Sequence, residues 1–445
     1  MSLERARLSR LRQRGSAHAS MPLARRSGTL TVAPQEEFVA RSSPLPSHSA
    51  SPITHRKSGN RRTWWIAAVV IVALLAAAAG VFAGRALRSG GGTRSAASWR
   101  ALPKAAIAGR LSPGAVWTGK EMIVWGGVAR SGMVRAASDG AAYDPATRTW
   151  RTIAQAPAGL QGDGGAGVVW TGREMVVWAS SSPDGPFGTG AYDASTDTWR
   201  RLPAGPLGWR EGYSSAWTGK ELIVVGGSLG DSLAKPVAAA LDPKTGSWRP
   251  LPALEKFTGL MPSPGVVWDG HEVWVMGSVC ARHLSSCSPT LLAYHPAADA
   301  LRKIDLSRAP IAPQQQLRLI ASSGSDLVFS TVGLANGRIL LLRYHPATDT
   351  WRRGSFAPFP VPDTAYTQTA WLGDRYLVAD GSSGLQIYSL DTDTWQTITP
   401  GPSPLNAREG SAIVWTGHEL IAWSGTVYEK FNPTPADGAS LTLEG

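Results

Sequence analysis

One phrase, returning about every 50 residues, constrains this chain more than anything else in it. AVWTGKEMIVWGG, from Ala115 to Gly127, is written again almost unchanged as VVWTGREMVVWAS, from Val168 to Ser180. It returns as AWTGKELIVVGG from Ala216, VWDGHEVWVMGS from Val267, AWLGDRYLVADG from Ala370 and VWTGHELIAWSG from Val414. In each copy two apolar runs flank a two-residue connection ending in Gly, which accepts positive φ and closes a tight hairpin. A second phrase follows each hairpin: AAYDPATRTWRTI, GAYDASTDTWRRLP, AALDPKTGSWRPLP, LAYHPAADALRKI, LRYHPATDTWRRG and QIYSLDTDTWQTI. There a strand ends at a residue that can cap a turn, such as Asp193, and another strand starts at the aromatic position. Each repeat therefore holds four strands, a to d. The positions Trp150, Trp199, Trp248, Leu301, Trp351 and Trp395 lie 49, 49, 53, 50 and 44 residues apart.

A four-stranded unit at this period reads as a β-propeller. Its details resemble the kelch family: Gly-Gly after strand b (Gly126-Gly127, Gly226-Gly227), then Tyr, then Trp, then Leu-Pro. The resemblance runs from Ser98 to the C-terminus and implies an all-β, seven-bladed kelch-type β-propeller of four-stranded blades. Two units depart from it, the fifth with no Trp in ASSGSDLVFST and the fourth with Leu301 for the outer Trp. The seventh unit ends in FNPTPADGASLTLEG without its outer Trp, whereas the domain opens on ASWRALP, a d strand with no a, b or c before it. Ser98 to Pro103 should pair onto the last blade and close the ring, leaving no open edge.

The net charge of +12 suggests nucleic acid until it is divided along the chain. Residues 1–62 hold 12 Lys and Arg against 3 Asp and Glu, and Arg85, Arg88 and Arg94 follow. Of the chain's 44 basic and 32 acidic residues, 29 of each remain from Ser95 onward. The repeat domain is thus neutral, and no nucleic-acid partner is expected. Residues 63–84, TWWIAAVVIVALLAAAAGVFAG, carry no charge, and a helix of that length spans about 30 Å of hydrocarbon. The expected organisation is a disordered basic cytoplasmic tail (1–62), one transmembrane helix (63–84), a flexible linker (85–97) and the propeller (98–445). A 62-residue leader is too long for an ordinary signal peptide. Positive-inside counting puts the tail in the cytoplasm, against anionic lipid head groups, and the propeller outside it.

Strand parity assigns the two faces of the ring. Neighbouring strands in a blade are antiparallel, so the short a–b and c–d turns share one face and the longer b–c and d–a loops share the other, where binding belongs. Tyr294-His295 and Tyr344-His345 are similar to the adjacent Tyr-His copper ligands of galactose oxidase, itself a kelch propeller. Here both pairs end strand c on the short-turn face, in the place of Asp144 or Asp193, and read as turn residues. His271 and His418 fall in a–b turns. Only His283 lies in a variable loop, between Cys280 and Cys287, the sole cysteines. With His283 they are three metal ligands without an evident fourth. An exported domain favours a disulfide between Cys280 and Cys287, and no metal or other cofactor is expected.

Seven residues before each strand-a anchor stand Arg110, Asp163, Arg210, Met261, Gln315, Thr364 and Arg408. Two roles fit the arginines. They form an anionic-ligand rim at the channel mouth, or they are braces pairing with a following Glu (Glu211, Glu409) or with a neighbouring blade's backbone. Trp209, beside Arg210, adds a stacking face for a sugar ring. The candidate ligand-binding set is Arg110, Asp163, Trp209, Arg210, Glu211, Gln315, Arg408 and Glu409. Two functions remain: a non-enzymatic, membrane-anchored propeller that binds an acidic glycan or a protein partner, or an enzyme like the bacterial kelch sugar-acid mutarotases. The first is preferred, because the variable face shows no positioned acid and base.

Overall fold

A computed structural model describes residues 97–443, apart from 132, 163–166, 181–186, 209–210, 229–237, 256–263, 281–286, 313–314, 333–336, 359, 361–367, 380–384, 399–407, 409 and 427–433. The tail, apolar segment and nearly all of the linker lie outside the described residues. Among those described, no helix is long and apolar enough to cross a membrane.

The described chain is a seven-bladed β-propeller. Blade one takes its strands from Gly114–Trp117, Met122–Trp125, Gly140–Asp144 and Thr149–Thr152, hydrogen-bonded in that order. Five more four-stranded antiparallel sheets follow in the same order, and the seventh differs only in its outer strand. Strand β1 (Ser98–Ala101) pairs antiparallel with Gly438–Thr442, so that the first strand of the domain completes the last blade. The expected closure of the ring is therefore what the chain forms.

Why strand b is apolar at every residue follows from this architecture. In Met122–Trp125 all four side chains are buried, because alternate residues point to the two neighbouring blades. Met122 and Val124 enter the cluster shared with blade seven, where Ile421 and Trp423 lie. Ile123 and Trp125 enter the one shared with blade two, against Met175 and Val177. The core is thus a series of layers between blades rather than one central mass. Trp125, Trp178, Trp274 and Trp423 repeat as its largest fully buried side chains.

The two faces are built differently. On one, each a–b turn carries a left-handed Gly, with φ of 91° at Gly119, 92° at Gly172, 87° at Gly219 and 106° at Gly417. Beside it, Thr118 Oγ1 accepts the Lys120 and Glu121 amides at 3.2 and 2.8 Å, and Thr171, Thr218 and Thr416 act alike. Asp269 substitutes in blade four, at 2.7 Å from the His271 and Glu272 amides. On the other face, strand pairs extend unequally. Blade one adds a hairpin of Val128–Ser131 and Met133–Ala136, pinned by bridges Leu111↔Val128 and Ala137↔Gly162. Blade four's ladder runs on to the rung Cys280↔Cys287.

Candidate functional site

The loop-face rim is described best at Arg110 and Arg408. Arg110 is 2% exposed. Its Nη1 donates to the carbonyls of Gly126 (3.0 Å) and Asp139 (2.9 Å), and its Nη2 to the Asp139 carboxylate (2.6 Å). Arg408 repeats the arrangement in blade seven, with Nη1 at 3.4 Å from the Ser424 carbonyl and 2.6 Å from Asp437 Oδ1. Its Nη2 lies 3.1 Å from Asp437 Oδ2. The acids come from the residue just before strand c of the same blade, not from the position after the arginine. Neighbouring residues of an extended chain point to opposite sides, whereas the guanidinium reaches past the end of strand b, where the Gly126 amide meets the Asp139 carbonyl, to the start of strand c. The guanidiniums are thus drawn inward, while Asp139 and Asp437 stay about half exposed, at 45% and 57%.

Gln315 closes its own loop, accepting the Ala312 amide through Oε1 at 2.8 Å and donating its backbone N–H to Ala312 O at 2.9 Å. Asp163, Trp209, Arg210, Met261, Thr364, Glu409 and His283 lie outside the described residues. So do the side chains of Glu211, Cys280 and Cys287, although the backbone register puts the two cysteines opposite each other.

The short-turn face carries a polar lattice that the sequence reading did not find. In blades one to four the Glu that ends the a–b turn holds the arginine after the outer aromatic position by two parallel bonds. Arg151 to Glu121 are at 3.0 and 2.8 Å, Arg200 to Glu174 at 2.8 and 2.7 Å, Arg249 to Glu221 at 2.9 and 2.8 Å, and Arg302 to Glu272 at 3.3 and 2.7 Å. Paired donation of this kind fixes orientation as well as adding energy. Arg151 and Arg249 also reach the next blade, donating to Tyr192 Oη at 3.2 Å and Tyr294 Oη at 3.4 Å. Both guanidiniums are held more firmly protonated by these partners, the Glu first.

The Asp-Thr-Trp phrase is a clasp between blades. Asp197, left-handed at φ 53°, accepts the Ala154 amide at 2.8 Å, and Trp199 Nε1 donates to the Ala154 carbonyl at 2.8 Å. Asp393 and Trp395 grip both sides of Ser355 in the same way, at 2.8 and 3.0 Å. Tyr192 Oη donates to Asp197 at 2.6 Å, and burial followed by that bond pushes the Tyr192 pKa up to about 12. Regular spacing of Asp and Trp in the repeats was the available signal. Its partner atoms sit 43 and 45 residues away, in the preceding blade.

The Tyr-His pairs belong to the same turns. Tyr294 and Tyr344 donate to Asp299 and Asp349, each at 3.0 Å. His295 Nδ1 accepts the Ala298 amide at 3.3 Å, and His345 Nδ1 lies 2.8 Å from Asp326 Oδ1. Among the described residues, no three His, Cys, Asp or Glu side chains stand close enough to hold a metal ion.

No family model matches the sequence, and no curated protein matches it. Among solved structures, the fold is similar to that of a fungal alcohol oxidase of the AA5 family determined in complex with copper. The TM-score is 0.54 at 14% identity, over 79% of this chain and 77% of that one. At this identity the likeness is one of fold. The Tyr-His pairs do not fit a copper centre, since their phenols are spent on turn aspartates.

Proposed function

We propose that the chain is a membrane-anchored propeller of the kelch type whose loop face binds a ligand or protein partner outside the cytoplasm, without catalysing a reaction. One observation carries the reading: the two faces of the ring are unlike. The turn face repeats through blades one to four, its Glu and Arg side chains spent on each other and, at Arg151 and Arg249, on the next blade. The loop-face connections differ in sequence and length from blade to blade, blade one adding a hairpin, and variation on a rigid scaffold is where recognition belongs. The uncharged run 63–84 and the basic tail before it support the anchor and the tail's contact with anionic lipid.

On that face the contact for an acidic glycan or sugar acid is Arg210 with Trp209. Blade three carries Val237 immediately before strand c, where blades one and seven carry Asp139 and Asp437. The sequence therefore gives Arg210 no counterpart of the carboxylate that Arg110 and Arg408 hold, and Trp209 next to it adds an indole on which a sugar ring could stack. Asp163, Glu211, Gln315 and Glu409, at or beside the equivalent sequence positions, would add polar groups for hydroxyls.

The test is a binding screen of the full-length protein in detergent against acidic glycans and sugar acids, with turnover measured on every hit. Binding lost in Arg210→Gln and Trp209→Ala, with no product formed, supports the reading. Conversion of a bound sugar acid would replace it with a mutarotase-like activity. Protease added to intact cells should digest the propeller and spare the tail; the reverse pattern would overturn the topology.

A further inference from the structure

Blade five breaks the lattice of the turn face. In blades one to four the strand-d arginine lies opposite an alanine of strand c: Ala142↔Arg151, Ala191↔Arg200, Ala240↔Arg249 and Ala293↔Arg302. In blade five the same register sets Arg343 against Arg352. Like charges directly opposite on one face of a sheet repel. The glutamate that would neutralise them is replaced by Asp326, one methylene shorter, whose Oδ1 is taken by His345 at 2.8 Å. Among the described residues, neither Arg343 nor Arg352 has a hydrogen-bonded or ion-paired partner. The nearest carboxylate of the next blade, Asp393, feels the charge of Arg343 but is bonded to Tyr388 and the Ser355 amide.

Both arginines line a cavity of about 350 Å³ together with the paired Asp326 and His345, and its remaining polar edges are Ser325, Thr348 and Thr350. The two threonine hydroxyls lie 2.8 Å apart, so one donates to the other and the second keeps a proton for a ligand. We infer that Arg343 and Arg352 form a binding site for a tetrahedral oxyanion, a phosphate or sulfate group. The two oxygens of a carboxylate lie in one plane, whereas a tetrahedral group presents a separate edge of two oxygens to each guanidinium fork. Such an anion would fill the place that Glu121, Glu174, Glu221 and Glu272 fill in the other blades. The cavity has space beyond one such group, which suits an ester. The site lies on the turn face, and it stands or falls independently of binding at the loop-face rim.

Titration calorimetry of the full-length protein in detergent, with inorganic phosphate and inorganic sulfate at constant ionic strength, tests this. Millimolar or tighter binding is expected, weakened about tenfold or more in Arg343→Ala and Arg352→Gln. A phosphomonoester and a sulfated disaccharide, titrated in turn, distinguish the sources: whichever binds tighter than its inorganic ion identifies the natural group, and no gain assigns the free ion. In chloride alone Arg343→Ala should melt at or above the temperature of the unaltered protein, since it restores the alanine of blades one to four and removes the repulsion. No binding to the unaltered protein, equal binding by the variants, or a lower melting temperature for Arg343→Ala in chloride would each overturn the site.

Discussion

Replacing Arg110 by Gln separates a brace from a ligand-gripping rim. The shorter amide cannot span Gly126 and Asp139 together. Gly126 O, which Arg110 Nη1 meets at 3.0 Å, loses its partner inside the blade and costs about 1–3 kcal/mol as an unpaired buried acceptor. Asp139 O keeps the Gly126 amide at 3.2 Å and adds little. The ion pair with Asp139, one partner of which is 45% exposed, adds about 0.5–1 kcal/mol once solvent screening is counted. The sum is about 1.5–4 kcal/mol. For Arg408→Gln it should be nearer 1 kcal/mol, because the Ser424 carbonyl is held by Ser411 Oγ at 3.0 Å and Asp437 is still more exposed. Urea denaturation of the full-length protein reads both, and a cycle with Asp139→Asn reads the coupling. An Arg110→Gln variant within about 0.5 kcal/mol of the parent, or an equal loss at Arg408, would refute the brace.

Trp199→Phe should cost about 1–2 kcal/mol for the bond to Ala154, whereas Trp351→Phe should cost less, since the buried Trp351 Nε1 has no acceptor among the described residues. Equal losses on denaturation would refute the clasp. Burial, followed by the bond to Asp349, also pushes the Tyr344 pKa up to about 12. A raised phenol pKa favours the neutral folded form, so this stability is complete below about pH 10 and is lost as pH rises to about 12. Melting curves should fall across that window, less steeply in Tyr344→Phe; a parallel fall in the variant would show that the phenol is not responsible. If the propeller lies outside the cytoplasm as proposed, the rung Cys280↔Cys287 predicts that both thiols resist alkylation until reduced, and labelling without reductant would defeat the proposed disulfide.

Much of the fold was legible because its signals are local. A Thr-Gly-x-Glu turn, a strand apolar at every residue and a lone d strand at the start of the domain each speak within a few positions, and together they specify four-stranded blades, their number and the closure by Ser98–Ala101. What those residues hold was not legible. Glu121 reads as a turn residue until Arg151 arrives from the outer strand, and Trp199 as an apolar anchor until Ala154 of the preceding blade receives its N–H. Arg110 and Arg408 read alike as rim or brace. Only the return of strand c, bringing Asp139 and Asp437 back from 29 residues away, draws them into the blade and turns the carboxylates outward. Arg343 is an ordinary residue in the sequence and becomes anomalous only through the register that sets it against Arg352. Period and turn chemistry are properties of a short stretch of backbone, whereas the partner of a charged side chain is chosen by which strand packs beside it, and that is decided in three dimensions.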